Sequence, residues 1–404
     1  MTEKLSPPTS PLERRIKRHM HAPVHDWFAP CAPGLEPALA QELAAIDAGD
    51  IQPSPGGVAF KGKLDVGYVA NLWLRTANRI LLRVAAFGAR RPEDLFRHAA
   101  QLPWELLLAG DVPLRFEVKT FESWLKRDDL IEETLRSAIR KRLSEQHLAA
   151  TVADLAPGGD EDELQRVMVR IERDRVTLSL DASGAHLHRR GYRQATAKAP
   201  LRENLAAGAL LLAGYDGTMP LFDPMCGSGT FAIEGALIAR KLPPGLNRRF
   251  LFERWPSFRP ATWEFIKRKA LEASLPEPPF PICARDENGG ALRASLANAE
   301  RAGVQDSLTL SQADFFKEAA PGEAPGVIAI NPPYGVRIGD EASTLVLYRR
   351  MGMKLKQAYA GWRYVILAPS NDLTDALGLP VRSRVLIPHG GLKITLVLGE
   401  IPQA

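Results

Sequence analysis

The stretch Leu221-Phe222-Asp223-Pro224-Met225-Cys226-Gly227-Ser228-Gly229-Thr230 constrains the fold more than any other part of the chain. A short apolar run ends on an acid, a glycine-rich turn follows, and Phe231-Ala232-Ile233-Glu234-Gly235-Ala236 then reads as a helix with small residues on one face. Strand, glycine turn and helix in that order predict an α/β sheet. Gly227 and Gly229 let the backbone approach a ligand closely and take positive φ without strain. The helix N-terminus supplies N–H groups with no intrahelical partner. The turn has neither the G-x-G-x-x-G spacing nor the Lys-Ser/Thr of a phosphate loop. Asp223 would repel phosphate and suits a cationic amino group. A ligand with ammonium, carboxylate and sulfonium fits, and S-adenosylmethionine carries all three. Asp223, Pro224, Gly227, Gly229 and Thr230 form the candidate turn. The plainer alternative is a generic strand–helix connection.

Two further strand ends carry acids. Pro281-Ile282-Cys283-Ala284-Arg285-Asp286 reads as a second strand, and 290–303 as a helix with Leu292, Leu296 and Ala299 on one face. An acid at that strand end is the usual partner of ribose hydroxyls. Its long separation from the glycine turn is explained by 243–279, an insertion rich in Pro, Arg and Trp (Trp255, Trp263). A third strand, Leu308-Thr309-Leu310, leads to Asp314, placed to accept from an adenine amino group. Helix capping is the alternative role for Asp286 and Asp314.

Next, Val327-Ile328-Ala329-Ile330 reads as a buried strand and runs into Asn331-Pro332-Pro333-Tyr334-Gly335. Prolines have no N–H, so this turn offers acceptors without competing donors. The Asn331 side-chain oxygen and the Pro332 carbonyl suit the two hydrogens of an exocyclic NH2 on a nucleobase. Tyr334 offers a face on which the base stacks. A tight turn with a buried Tyr is the alternative.

Composition is that of a globular chain: 404 residues, 45% hydrophobic and 25% charged, enough for two or three domains. A net charge of +5 favours a polyanionic partner without demanding one. The 3 cysteines, Cys31, Cys226 and Cys283, form no C-x-x-C and fit a reducing cytoplasm. The 8 histidines show no metal spacing, so no metal is expected. No apolar run is long enough to span a membrane. Residues 1–25 read as a disordered basic extension, with His19, His21 and His25 as solvated tail residues.

The order over 26–90 is strand 27–29, helix 34–48, strand 57–60, helix 64–75 and strand 80–87, a ferredoxin-like unit. A second α+β unit over 91–181 has helices at 92–101 and 128–146 and strands at 114–118, 165–173 and 175–180, with an acidic loop at 158–163. Its helix 128–146 is basic on one face (Arg136, Arg140, Lys141, Arg142), either a phosphate track or a solvated face. Residues 182–404 carry the glycine turn and the Asn-Pro-Pro-Tyr motif. His188-Arg189-Arg190-Gly191-Tyr192-Arg193 has two candidate roles, an entry for substrate or a linker whose arginines pair with carboxylates of the core.

The order Asp-Pro-Met-Cys-Gly-Ser-Gly-Thr, strand-end Asp, Asn-Pro-Pro-Tyr-Gly resembles class I S-adenosylmethionine-dependent methyltransferases acting on exocyclic amines. More closely it is similar to the bacterial large-subunit ribosomal RNA guanine-N2 methyltransferases that carry an RNA-binding THUMP domain. The stretches 71–77, 178–184, 188–193 and 199–207 extend the resemblance to residues 26–402. The resemblance implies a Rossmann-like catalytic domain with a mostly parallel seven-stranded sheet over 182–404, behind a ferredoxin-like domain (26–90) and a THUMP domain (91–181). It implies S-adenosylmethionine as cofactor, rRNA as partner, a cytoplasmic location and the single-module branch of the family. Asn331, Pro332, Pro333 and Tyr334 would position the base; Asp223, Gly227 and Gly229 the methionine part; Asp286 the ribose; Asp314 the adenine. Open alternatives are a tRNA guanine-N2 enzyme, an adenine-N6 DNA enzyme, a protein glutamine-N5 enzyme and a non-catalytic ribosome-assembly factor. The sequence leaves the oligomeric state and the target nucleotide undetermined.

Overall fold

The computed structural model describes residues 10–109, 113–146, 164–193, 201–322, 324–333, 341–389 and 392–403. The expected acidic loop at 158–163 and Tyr334 lie outside them. Two seven-stranded sheets organise the chain.

The first sheet holds β1 (His25–Pro30), β2 (Gly49–Ser54), β3 (Gly57–Gly62), β4 (Leu81–Gly88), β5 (Leu114–Phe121), β6 (Gln165–Glu172) and β7 (Arg175–Asp181). Their order is β2-β3-β1-β4-β7-β6-β5. The sheet is continuous across residue 90, because β4 pairs with β7 from Leu81↔Asp181 to Gly88↔Arg175. The two N-terminal units thus share one hydrogen-bonded sheet. The unanticipated strand is β2. It lies at the sheet edge, contains Pro53 and is largely exposed, so it lacks the apolar alternation that marks half-buried strands.

Residues 10–25 depart from the expected disorder. Ser10 caps a helix at Pro11–Ile16 through a reciprocal bond with Glu13, and a wider turn continues over Lys17–His21. Ile16 and Met20, four residues apart, are buried. Arg15 reaches the buried Glu105. His21 Nε2 meets the Ser257 carbonyl oxygen at 2.8 Å, and burial lowers its pKa. The basic composition conceals a narrow apolar stripe.

The second sheet holds β8 (Leu221–Asp223), β9 (Ile282–Asp286), β10 (Thr309–Gln312), β11 (Val327–Ile330), β12 (Arg363–Ala368), β13 (Ser383–His389) and β14 (Leu392–Glu400). The order is β10-β9-β8-β11-β12-β14-β13. Only β14 runs against the rest. All four residues of β11 are buried, as expected for a strand covered on both faces. This is the expected Rossmann-like architecture.

The insertion 243–279 clamps the two sheets together. Phe252 stacks on Tyr68 with ring centroids 4.4 Å apart, and Trp263 stands edge-on to Phe252 at 5.2 Å. Phe252 N–H donates to the Ala182 carbonyl at 3.1 Å. Trp255 Nε1–H donates to Gln165 Oε1 at 2.9 Å. Hydrophobic side chains inserted between domains fix their relative position by area burial, with directional bonds setting the register.

Candidate active site

In the second sheet the chain leaves β8 for β9 and β10 on one side, then crosses back to β11 on the other. The carboxyl ends of β8 and β11 therefore flank a topological switch point, where open α/β sheets bind ligands. The glycine turn and Asn331 both emerge there.

The turn is held from β9. Cys226 N–H donates to the Arg285 carbonyl at 2.9 Å and Gly229 N–H to the Cys226 carbonyl at 2.7 Å. Asp286 ties the two loops: Oδ2 accepts from Gly227 N–H and Oδ1 from Asn288 N–H, each at 2.9 Å. Gly229 has φ 81°, and a Cβ there would sit 2.2 Å from Ser295 Oγ. Any larger residue would push this turn off the helix Gly289–Ala302, which carries Ser295. Gly227 has φ 54° with open space where a Cβ would lie, so its requirement is conformational.

Asp223 is 1% exposed, and its Oδ1 has no hydrogen-bond partner among the described residues. Burial pushes its carboxyl well above the usual carboxylate range, and nearby Asp286 adds to the shift. A buried acceptor without a partner among the described residues, at a ligand edge, is placed to take a donor from a ligand. The Asn331 Oδ1 atom is a second such acceptor. Pro332 is buried and Pro333 exposed.

The remaining expected residues divide. Asp286 is not a helix cap, since Asn288 accepts from Gly290 and Ala291 N–H and caps the helix Gly289–Ala302. Asp314 does act locally: Oδ1 accepts from Phe316 N–H at 2.9 Å, and Lys317 lies 3.4 Å from Oδ2. Thr230 Oγ1 accepts from Arg193 at 2.7 Å. Pro224 is buried behind the turn. On the helix Gly289–Ala302, Leu296 is 43% exposed, so it is not on the packed face. That face is Ser295, Asn298 and Ala299, because the helix packs on a polar turn: Asn298 Nδ2 donates to the Ser228 carbonyl at 3.0 Å.

Arg190 and Arg193 take the structural role. Arg190 is buried and lies 3.5 Å from Glu234, a carboxylate with 0% exposure. Tyr192 O–H donates to Glu234 at 3.1 Å, and Arg193 lies 3.6 Å from Glu203. A Glu within an otherwise small and apolar helix was the available signal for this cluster. On the helix Asp128–Glu145, Arg142 pairs with Glu105 at 2.8 Å, while Arg136 and Lys141 lie over Phe116 and Phe96. Arg136 and Arg142 thus pack against their own domain, while Arg140 and Lys141 are exposed.

These features define a class I methyltransferase fold. Residues 190–393 match the RMKL-like methyltransferase domain family, and residues 26–81 match the RlmL ferredoxin-like domain. A Syntrophotalea carbinolica protein named ribosomal RNA large subunit methyltransferase K/L is 34% identical over 95% of the chain. The chain spans 54% of that relative's length. A Synechocystis protein provisionally named an RNA methyltransferase is 31% identical, with 94% of this chain and 98% of that one covered. A solved structure, SMU.472, provisionally named a methyltransferase and complexed with SAH, has TM-score 0.82 and 30% identity, covering 94% of this chain and 99% of its own. The chain belongs to the RMKL-like methyltransferase family.

Replacing Asp286 by Ala should weaken S-adenosylhomocysteine binding at least tenfold, because Gly227 and Asn288 N–H lose their acceptor and the turn loosens. Calorimetric titration reads this directly; an unchanged dissociation constant would remove Asp286 from the site.

Proposed function

We propose that the chain transfers a methyl group from S-adenosylmethionine to the exocyclic N2 of a guanine in large-subunit (23S-type) rRNA, in the cytoplasm. The observation that carries this reading is Asn331 Oδ1 at the rim of the switch point, which, like Asp223 Oδ1 one strand away, has no hydrogen-bond partner among the described residues. One acceptor suits a base amine and the other a cationic amino group. The names of the rRNA-directed relative and of the SAH-bound neighbour support the substrate and cofactor. Residues 26–90 serve as the ferredoxin-like unit and 91–181 as the THUMP unit that grips structured RNA by shape and backbone.

S-adenosylmethionine supplies an electrophilic methyl carbon. The protein supplies orientation and charge placement. Asp223 would hold the ammonium of the methionine part, the Gly227–Gly229 turn would admit its carboxylate, and Asp286 would reach the ribose. The target base leaves its stack to enter the pocket. Its N2 lone pair is delocalised into the ring and is a poor nucleophile. Asn331 Oδ1 and the Pro332 carbonyl accept the two N2 hydrogens, draw the nitrogen toward tetrahedral character and aim its lone pair. Tyr334 supplies the stacking face. An amide oxygen is no base, so the proton leaves after transfer, when the nitrogen has become acidic.

Incubation with labelled methyl donor and, separately, rRNA, tRNA, DNA or protein tests the reading. Label in rRNA, recovered as N2-methylguanosine, is expected. Label only in DNA adenine would replace it with the adenine-N6 reading, which the same turn serves.

The buried Asp223 carboxyl adds a pH signature. Its folded-state pKa is raised, so the cost of ionising it is absent at low pH and grows as pH rises through that pKa. A cationic amino group favours the ionised form, so binding releases a proton wherever the free site is protonated. S-adenosylhomocysteine affinity should therefore rise with pH up to the free-site pKa. Titrations in buffers of different ionisation enthalpy should show net proton release, and Asp223→Asn should erase it.

A further inference from the structure

At the end of the first sheet remote from the catalytic domain lies a hollow of about 870 Å³. Five arginines line it (Arg90, Arg91, Arg97, Arg173 and Arg175), together with Trp124 and two aspartates. Glu122, paired with Arg173 at 2.8 Å, adds a third carboxylate. Five positive charges against three negative leave an excess of two. Trp124 is 76% exposed, the most exposed of the large apolar side chains described.

This exposure is not the accident of a loose loop. Asp174 anchors the surroundings: Oδ1 accepts from Trp124 N–H at 2.9 Å, Oδ2 from Arg90 at 2.9 Å, and its carbonyl from Ala89 N–H at 2.9 Å. Its own N–H donates to Ser123 Oγ at 3.0 Å. Arg173 and Asp174 form the two-residue turn between β6 and β7 with φ 48° and 62°. Such turns ordinarily use Asn-Gly, which adopt positive φ at little cost. Here the turn accepts a backbone penalty and presents a guanidinium and a carboxylate.

We propose that this hollow is a docking subsite for an unpaired RNA nucleotide, with the base stacked on Trp124 and the adjoining phosphate held by Arg173 and Arg175. It rests on the reading of the chain as acting on RNA, and concerns a site distinct from the methyl-transfer pocket. An exposed indole on an anchored backbone, beside guanidinium groups, is the chemistry of single-stranded nucleic-acid binding. The carboxylate pairs do not oppose it. Exposed ion pairs contribute little, and a phosphate can take over the same donors bidentately. Strand β7 runs from this hollow at Arg175 to the catalytic-domain junction at Asp181. At the rise of a strand that is about 20 Å, so a nucleotide held here belongs to a different part of the RNA from the target base.

The test is fluorescence anisotropy with a short labelled oligouridine. Trp124→Ala should weaken binding roughly tenfold, the loss of one stacked base, with an unchanged unfolding midpoint. Trp124→Phe should retain most of the affinity. Replacing Arg173 and Arg175 together by Ala should flatten the salt dependence by roughly 0.7 in log–log slope for each phosphate no longer neutralised. Wild-type binding by Trp124→Ala overturns the proposal, as does displacement of the oligouridine by oligoglutamate in wild type but not in Trp124→Ala. Methyl transfer to rRNA by the wild-type protein is measured alongside. Transfer with Trp124-independent binding removes only this subsite; Trp124-dependent binding without transfer removes only the methyltransferase reading.

Discussion

Asn331→Ala should lose methyl transfer by about a hundredfold or more while S-adenosylhomocysteine binds with nearly its normal dissociation constant. The magnitude is that of removing one preorganised polar group aimed at charge developing in a transition state. The reason for the split is geometric. Asn331 leaves β11, on the opposite side of β8 from β9 and Asp286, and its Oδ1 makes no hydrogen bond within the described protein. Truncating it therefore breaks no internal hydrogen bond of that atom and leaves the cradle at 223–229 untouched. Single-turnover transfer rates and calorimetric titration measure the two quantities separately. A comparable fall in affinity would mean that the turn is scaffold, and the proposed role of Asn331 would be lost.

Glu234→Ala should destabilise the fold by about 3–5 kcal/mol, the usual consequence of stranding one member of a buried ion pair. Arg190 is left without its carboxylate in a site where both side chains are almost fully enclosed, and Tyr192 loses its acceptor. The damage extends past the pair. Arg190 also donates to the Arg75 carbonyl at 2.6 Å, and Arg75 donates to the carbonyls of Leu237 and Leu242. This network joins the N-terminal sheet to the helix that follows the glycine turn. Denaturant unfolding should show a large drop in midpoint for Glu234→Ala. Glu234→Gln, which keeps an acceptor, should lose less. The double variant Glu234→Leu with Arg190→Met should recover much of the loss, because apolar replacement of both partners removes the stranded charge. Equal losses for Gln and Ala would show that size, not charge, holds the site.

Four strands of the catalytic sheet, β8 to β11, were legible in the sequence, and the clearest of them follows a simple rule. Parallel strands buried on both faces read as uninterrupted apolar runs, as Val327-Ile328-Ala329-Ile330 does. Each ends on a residue that cannot continue a strand cheaply, so Asp223, Asp286 and Asn331 stood out at the strand ends. The same local logic failed for Leu296, since the facing surface is polar and selects Ser295 and Asn298; the Asp314 carboxylate also serves its own turn. For Arg190 the sequence left two roles open, and only the distant Glu234 decides for the interior one. The order in the N-terminal half was readable, but the pairing of β4 with β7, nearly a hundred residues apart, was not.

What the sequence by itself determined is the local chemistry: which segments are strands or helices, where glycine permits positive φ, and which short polar side chains sit at strand ends. These depend on near neighbours along the chain. Tertiary structure decided which of those groups remain unpaired. Among the described residues Asp223 and Asn331 keep an open acceptor, while Asp314, Thr230 and Arg190 bond to neighbouring groups. Partners in space are set by long-range burial and strand order, and no local pattern encodes them.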